Sequence, residues 1–230
     1  MRLVLFDIDG TLILTGGAGM RAFYRAMRET FGIEVGSEVI RPDGKTDPLI
    51  AKEMLAHFGQ ADRWNGESGS ALFSCYLARL EDEMSQARAS GLIRVLPGVA
   101  DLLEELVAHP DFALGLVTGN LEEGARIKLE KAELSGYFRF GGYGSDSEDR
   151  TTLIRIGIER GARLVAPEPI ERVYVIGDTP LDIIHGHAAG ARVIGVASAR
   201  YSIQDLRRHN PDMLVPDLTP TDSIVSFLQS

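Results

Sequence analysis

Two aspartates, two positions apart, follow an apolar run near the start of the chain. Residues 3–6 predict a buried strand, and Asp7 and Asp9 come directly after it. Because side chains at positions i and i+2 of an extended segment point to the same side, the two carboxylates can converge where the strand ends. Gly10 then allows a sharp turn that brings backbone N–H groups close to an anion. The alternative interpretation is a solvated turn, since Asp and Gly are common in turns.

A cation is needed if this segment binds an anion, because two carboxylates would repel a negatively charged ligand. Mg²⁺ is the natural candidate. It is a hard ion that takes oxygen ligands from one or two carboxylates and from a substrate phosphate. The pair Asp7 and Asp9 therefore indicates a magnesium site that also holds a phosphate group.

Short strand-like runs alternate with helical patterns and predict the elements that position these carboxylates. The runs lie at 3–6, 112–117, 138–141, 173–176, 192–196 and 213–215. Such alternation is typical of an α/β fold, here a Rossmann-like three-layer core with a parallel sheet. Ligands of such sheets bind beyond the carboxyl ends of the strands. Three of the runs end in polar clusters, at 7–9, 118–120 and 177–179.

About a hundred residues separate the first two runs and carry almost no strand signal, too many for a simple crossover. Helical patterns at 19–31, 46–58 and 67–90 predict an inserted, all-helical cap. We expect the cap to comprise residues 16–94, and the catalytic α/β core to comprise 1–15 and 95–230. Glycines at both joints suit a hinge that opens and closes over a site.

Composition narrows the classes of function. A chain of 230 residues with 44% hydrophobic residues is long enough for a core domain with a smaller insertion. A net charge of −9 argues against a nucleic-acid partner. Cys75 is the only cysteine, so no intramolecular disulfide is possible, and we predict a buried helical thiol there. Apolar runs are too short to span a membrane and a signal peptide is not expected, so we expect a cytoplasmic protein. We also expect a monomer or a homodimer.

Three segments, in order along the chain, resemble motifs of the haloacid dehalogenase-like hydrolase superfamily. Residues 7–11 (Asp-Ile-Asp-Gly-Thr) resemble its first motif, 117–120 (Val-Thr-Gly-Asn) its second and 177–182 (Gly-Asp-Thr-Pro-Leu-Asp) its fourth. The resemblance is to the phosphoglycolate phosphatase-like branch, in which a helical cap is inserted after the first motif. It implies an α/β core with a cap and activity on a small phosphorylated metabolite.

The resemblance implies that Asp7 is a nucleophile that attacks phosphorus and forms an aspartyl phosphate. Asp9 would protonate the leaving oxygen and then deprotonate the attacking water. An Asp at this second position argues against the dehalogenases of the superfamily, which lack it. Thr118 would donate its hydroxyl to a phosphate oxygen, and further substrate contacts are implied at Gly10, Thr11, Gly119 and Asn120.

By the same resemblance, Mg²⁺ would be held by the Asp7 carboxylate, the Asp9 backbone carbonyl and the Asp178 carboxylate, with Asp182 in support. Asp182 also has a structural interpretation. Thr179, Pro180 and Asp182 match the N-cap, N1 and N3 positions of a helix, and helix capping and support of a metal site are compatible.

The third motif departs from the commoner Lys-Pro pattern. The corresponding segment, 147–152, reads Ser-Glu-Asp-Arg-Thr-Thr. Arg150 is the best candidate for the cation that bridges phosphate and nucleophile, and Arg155 is the second candidate. A surface arginine in the first turn of a helix is the structural alternative.

The cap loop 41–47 resembles the loop that reaches the active site in related enzymes. Lys45 and Thr46 are therefore candidates for contact with the leaving group. Thr46 is equally suited to be the N-cap of the helix that follows. His185 and His187, two positions apart on a predicted helix, face different directions, and we expect structural or solvent-exposed roles for them.

The sequence thus predicts a Mg²⁺-dependent phosphatase that acts on a small phosphomonoester. A phosphomutase of the same superfamily, similar to beta-phosphoglucomutase, is the nearest alternative. A binding module without catalysis is a further alternative, although it predicts damage to Asp7, Asp9 or Asp178, and all three are present.

Overall fold

The computed structural model describes residues 1–36 and 41–230. The strands of the described part are β1 (Arg2–Phe6), β2 (Ile13–Leu14), β3 (Arg94–Val95), β4 (Phe112–Val117), β5 (Gly141–Gly142), β6 (Arg172–Gly177), β7 (Arg192–Val196) and β8 (Met213–Val215). Its α-helices are α1 (Ala18–Phe31), α2 (Asp47–His57), α3 (Gly66–Ala89), α4 (Val99–Ala108), α5 (Glu122–Lys131), α6 (Arg150–Val165), α7 (Pro180–Ala188), α8 (Ile203–Arg207) and α9 (Thr221–Gln229).

Six strands form one parallel sheet in the order β5-β4-β1-β6-β7-β8. The central strand β1 pairs with β4 on one side and β6 on the other, so that Phe6 lies opposite both Leu116 and Ile176. Because all three strands run in the same direction, their carboxyl ends meet at one edge of the sheet. The residues that follow them are thereby brought together.

Alternate residues of β1 serve opposite faces of the sheet. Val4 and Phe6 belong to the apolar cluster that includes side chains of α4, α5 and α9, whereas Leu3 and Leu5 belong to the cluster with α6 and α7. All four side chains are fully buried. A sheet covered on both faces favours such continuous apolar strands, and the predicted three-layer α/β core is confirmed.

Helices α1, α2 and α3 lie between β2 and β3 in the chain and share a separate apolar cluster. The rings of Phe23 on α1 and Tyr76 on α3 pack with centroids 4.7 Å apart. Strands β2 and β3 pair antiparallel at the two ends of this helical segment. Sequence analysis missed that pair, because a strand of two residues carries too little periodicity. The division into a core and a cap at residues 16 and 95 stays a prediction.

Most predicted elements are displaced by no more than a residue, with one exception. The strand predicted at 138–141 is confined to β5, and the ring of Phe138 instead packs edge-on against Phe6 at 5.8 Å. The prediction of a buried thiol was wrong, since Cys75 is only partly buried and its Sγ lies 3.3 Å from a carboxylate oxygen of Glu29. Among the described residues, no helix has an apolar stretch long enough to cross a membrane.

Candidate active site

A cavity of about 220 Å³ lies at the carboxyl edge of the sheet. Asp7 follows β1, Thr118 follows β4 and Asp178 follows β6, and all three line this cavity. On the opposite side the cavity is lined by side chains of the helical segment, including Phe23 and Tyr76. The strand ends therefore supply a charged wall, whereas the helical segment supplies apolar side chains together with Asp43, Lys45 and Asp47.

The turn after β1 supports Asp178. Gly10 has a φ of +87°, and a Cβ at this position would lie 2.4 Å from Asp178 Oδ2, so that only glycine fits. The hydroxyl of Thr11, which is fully buried, donates to Asp178 Oδ1 at 3.1 Å. The structure thus places Gly10 and Thr11 against Asp178, and the Thr11 hydroxyl is committed to that carboxylate.

Three buried carboxylates form one cluster. Oxygen atoms of Asp7, Asp178 and Asp182 all lie within 4.8 Å of one another. Asp182 is already engaged, because its Oδ2 accepts hydrogen bonds from the backbone N–H and the hydroxyl of Thr179, and Thr179 in turn caps α7. The helix-capping interpretation of Asp182 is therefore confirmed. Its place in the cluster is compatible with outer support of a metal site.

Arg150 is the cation of this cluster. Its guanidinium forms an ion pair with Asp182, and its Nη2 lies 3.5 Å from Asp7 Oδ1. The Nη1 atom donates to the Gly44 carbonyl at 3.2 Å, whereas the buried Nε has no hydrogen-bond partner among the described residues. Arg155, the second candidate, is exposed and donates to a backbone carbonyl of α7. Of the two arginines, only Arg150 lies at the site.

Electrostatics at the cluster favour a bound cation. Burial, together with Asp182 and Asp9, raises the pKa of Asp7 to about 7 against the opposing effect of Arg150. Burial, with Asp182 and Asp7 nearby, also raises the pKa of Asp178 well above its ordinary value. Three carboxylates face one guanidinium in this cluster, and its donors are all hard oxygen atoms. The residues present therefore fit a divalent cation such as Mg²⁺.

Asp9 has different neighbours from Asp7. Its Oδ2 accepts from Lys128 Nζ at 2.6 Å and from Asn120 Nδ2 at 2.8 Å. Lys128 Nζ also donates to Asn120 Oδ1 at 2.6 Å. These three residues, Asp9, Asn120 and Lys128, are called the Asp9 triad below. The carboxylate of Asp9 is thus drawn toward α5, away from the acidic cluster of Asp7, Asp178 and Asp182.

Lys128 was missed by sequence analysis. Its side chain is 5% exposed, and it lies on α5 between the buried residues Ile127 and Leu129. A lysine on the apolar side of a helix that directly follows the second motif is the signal that could have revealed it. Burial of an ammonium group is costly unless it is paired, so such a lysine indicates a carboxylate partner.

Thr118 and Asn120 hold each other in place. Thr118 Oγ1 accepts from the Asn120 backbone N–H at 3.3 Å and from its side-chain amide at 2.7 Å. Both bonds use the oxygen as an acceptor, so the hydroxyl proton of Thr118 is left for the cavity that this residue lines. The side-chain amide of Asn120 is fully engaged by Thr118 and the rest of the Asp9 triad. Direct contact of this side chain with a substrate stays a prediction.

The loop before α2 packs on the second motif. Gly119 allows this approach, because a Cβ there would lie 2.0 Å from the Lys45 carbonyl oxygen. The Gly119 carbonyl accepts the Asp47 backbone N–H at 2.7 Å, and Asp47 Oδ2 accepts the Leu121 N–H at 2.9 Å. Asp47 is buried, and burial raises its pKa to about 6. Two hydrogen bonds therefore join the helical segment to the sheet edge at this residue.

The two predicted contacts of this loop have other partners. Lys45 Nζ pairs with Glu53 Oε2 at 2.5 Å, although Lys45 also lines the cavity. Thr46 is the N-cap of α2, and its hydroxyl oxygen accepts the Leu49 N–H at 3.4 Å. The structure thus shows the capping arrangement for Thr46, and substrate contact by either residue stays a prediction.

The two histidines of α7 bind protein groups rather than the cavity. His185 Nδ1 is 2.8 Å from Thr151 Oγ1, and His187 Nε2 is 2.9 Å from Asp212 Oδ2. These contacts join α7 to α6 and to the loop before β8. They agree with the structural roles expected from the sequence.

Comparison with known proteins extends over nearly the whole chain. A sequence model described as haloacid dehalogenase-like hydrolase matches residues 4–196. The phosphoglycolate phosphatase of Aquifex aeolicus is 27% identical over 224 residues, which cover 94% of this chain and 95% of that protein. The pyrophosphatase PpaX of Oceanobacillus iheyensis is 24% identical over 236 residues, covering 98% and 97% of the two chains. A crystal structure of a hydrolase from Pseudomonas syringae, 21% identical, covers 98% of both chains with a TM-score of 0.72.

The matched range contains all the segments that form the cavity's charged wall. Asp7, Thr118, Arg150 and Asp178 all lie within residues 4–196. The order of the motifs, the parallel sheet that presents them and the family match agree with one another. The chain belongs to the haloacid dehalogenase-like hydrolase family.

Proposed function

We propose that this protein is a Mg²⁺-dependent phosphatase that hydrolyses a small phosphomonoester through an aspartyl phosphate on Asp7. The observation that carries the proposal is that one cavity holds both the buried carboxylate of Asp7 and the buried guanidinium of Arg150, 3.5 Å apart. Such a carboxylate is suited to attack, and the guanidinium is suited to bind the group that is attacked.

Positive charge is required before a carboxylate can attack a phosphate dianion. The residues that would hold a metal ion are the carboxylates of Asp7 and Asp178 and the backbone carbonyl of Asp9. When bound, Mg²⁺ would offset the repulsion between nucleophile and phosphate. Asp182 is committed to Arg150 and to Thr179, so its part is to hold the guanidinium in place.

Two residues that line the cavity, Arg150 and Thr118, have an unused donor. The Nε of Arg150 is buried and has no partner among the described residues, and Thr118 retains a hydroxyl proton. An unpaired buried N–H costs free energy unless a ligand satisfies it. A phosphoryl group next to Asp7 would accept hydrogen bonds from both residues and be oriented for in-line attack.

The chemistry then needs a proton for the leaving oxygen. Asp7 forms a bond to phosphorus, the bond from phosphorus to the leaving oxygen breaks, and that oxygen takes a proton from the Asp9 carboxyl group. The resulting Asp9 carboxylate takes a proton from water as that water attacks phosphorus, which releases phosphate and restores Asp7. One residue serves both steps because the first leaves it in the state that the second requires.

Size and surface of the cavity favour a small leaving group. Its volume of about 220 Å³ must hold both the phosphoryl group and the leaving group. The names of the relatives, a phosphoglycolate phosphatase and a pyrophosphatase, also refer to small phosphate compounds. Phosphoglycolate and pyrophosphate therefore belong in the first panel of substrates.

The test is phosphate release from a panel of small phosphate compounds, measured with Mg²⁺ and with EDTA, for the intact protein and for Asp7→Asn. We expect release that requires both Mg²⁺ and Asp7. Asp146→Asn is a suitable control, because Asp146 pairs with Arg160 at 2.6 Å and does not line the cavity. If none of the compounds releases phosphate, the proposal fails. Transfer between glucose phosphates without phosphate release would instead identify a phosphomutase.

A further inference from the structure

Lys128 is a buried cation that the proposed mechanism does not use. Its Nζ lies 2.6 Å from both Asp9 Oδ2 and Asn120 Oδ1. On the other side, a Cβ at Gly19 of α1 would lie 3.4 Å from the same nitrogen, so α1 covers the ammonium group closely. The side chain is therefore confined between α5, α1 and the turn after β1.

The two oxygen atoms of the Asp9 carboxyl group are not equivalent in this arrangement. Oδ2 accepts hydrogen bonds from Lys128 and Asn120, both of which are nitrogen donors. Oδ1 has no hydrogen-bond partner among the described residues. An oxygen that accepts two N–H hydrogen bonds cannot also carry a proton, because that proton would point at the two donor groups. A proton on this carboxyl group must therefore reside on Oδ1.

We infer that Lys128 is a positioning residue for Asp9, and this inference rests on the proposed function. Lys128 fixes the rotation of the carboxyl group so that the proton-carrying Oδ1 is the oxygen presented to the leaving group. The proton passes from Oδ1 to the leaving oxygen as the bond from phosphorus to that oxygen breaks. Asp9 keeps the electron pair, and Lys128 and Asn120 remain bound to Oδ2 throughout.

Two other roles for Lys128 predict different behaviour. A purely structural ion pair would affect the amount of folded protein, and hence all substrates equally. A direct contact with the substrate would matter most for a leaving group that carries a negative charge. If Lys128 instead positions the general acid, its loss should matter most for esters whose leaving oxygen must be protonated.

The experiment compares kcat/KM of the wild type and Lys128→Met for three esters in the presence of Mg²⁺. p-Nitrophenyl phosphate has a leaving group that departs without protonation, ethyl phosphate has a poor and neutral leaving group, and phosphoglycolate has a poor and anionic one. Since kcat/KM reports the steps up to formation of the aspartyl phosphate, the later role of Asp9 as a base does not enter. A ratio of kcat/KM values between two esters is also independent of the folded fraction.

Lys131→Met is the matched control. Lys131 lies on the same helix and pairs with Glu81 of α3 at 2.5 Å, so it also joins α5 to the helical segment. It does not line the cavity. We expect this variant to leave the ratio between esters unchanged.

We expect Lys128→Met to lower kcat/KM for ethyl phosphate and phosphoglycolate by at least about tenfold more than for p-nitrophenyl phosphate. Equal losses on all three esters, or no loss, would overturn the inference in favour of a structural role. A selective loss on phosphoglycolate alone would overturn it in favour of substrate contact. If the wild type has no activity that depends on Mg²⁺ and Asp7, the proposed function fails first, and the inference fails with it.

Discussion

Asp7 and Asp9 are identical side chains two residues apart, but they lie in opposite electrostatic surroundings. Asp7 is buried with Asp178 and Asp182, and the three share a single guanidinium. The Asp9 side chain is 44% exposed and has an ammonium group of its own at 2.6 Å. Asp7 therefore lies in a cluster with an excess of negative charge that favours a metal ion, whereas Asp9 forms an ion pair with a lysine of its own.

The difference arises from partners that are far apart in sequence. The neighbours of Asp7 follow β6 or lie on α6 and α7, whereas those of Asp9 follow β4 or lie on α5. The central position of β1 in the sheet makes both sets available. A short motif thus acquires two chemical roles because it ends the strand that lies between two different neighbours.

The largest expected effect comes from removing the nucleophile. Asp7→Asn should lower kcat for the best substrate at least about a thousandfold, because the covalent step is lost. Far-UV circular dichroism should show an unchanged fold. A fall of less than tenfold would contradict the role assigned to Asp7 and remove the contrast with Asp9.

Removing Arg150 should cost the protein more stability than removing Lys128. Arg150→Met leaves three buried carboxylates without their guanidinium, and we expect a loss of about 4 kcal/mol in the free energy of unfolding. Lys128→Met leaves Asp9 accessible to water and hydrogen-bonded to Asn120, and we expect a loss of about 1 kcal/mol. Urea titrations in EDTA measure both values. Equal losses in the free energy of unfolding for the two variants would contradict the difference in surroundings between Asp7 and Asp9.

A further buried carboxylate, that of Asp47 on the Lys128 side, tests the contrast through pH. Burial raises the pKa of Asp47 from the ordinary 3.8 to about 6, against the opposing effects of Lys128 and the Leu121 N–H. The folded state therefore binds the Asp47 proton more tightly than the unfolded state. Its contribution to stability is fully present below pH 4 and is lost as the pH rises through 6.

Asp47→Asn should remove this loss, since Asn can still accept the Leu121 N–H. Relative to the wild type, we expect the variant to be similar in stability at pH 4 and about 3 kcal/mol more stable at pH 8. The measurement is the difference in free energy of unfolding between the two proteins at each pH. A constant difference across this range would refute the raised pKa.

The smallest effect is expected in the loop that packs on the second motif. Thr46→Ala removes the N-cap of α2 and should cost about 1 kcal/mol of stability. If capping is its whole role, KM for the best substrate should stay within twofold of the wild-type value. A large rise in KM would instead assign Thr46 to the substrate.

Local patterns were sufficient for most of the predicted elements and for much of the charged wall. The strand before Asp7, the capping box of Thr179 and Asp182, and Arg150 at the start of α6 all depend on residues within a few positions of one another. Such patterns are determined by strand alternation and by the unsatisfied N–H groups of a helix end. They are therefore visible in the sequence alone.

The partners of Asp9, by contrast, depend on contacts across more than a hundred positions. Lys128 is 119 positions away from Asp9, and its pairing requires β4 to lie beside β1 and α5 to pack behind the cavity. The approach of the loop before α2 to Gly119 is of the same kind. The sequence by itself indicated Asp7, Arg150 and Asp178 as residues of one site, because residue type and local spacing suffice for that. Only the tertiary structure decided which charges neutralise one another, because burial and distance are properties of the packed chain.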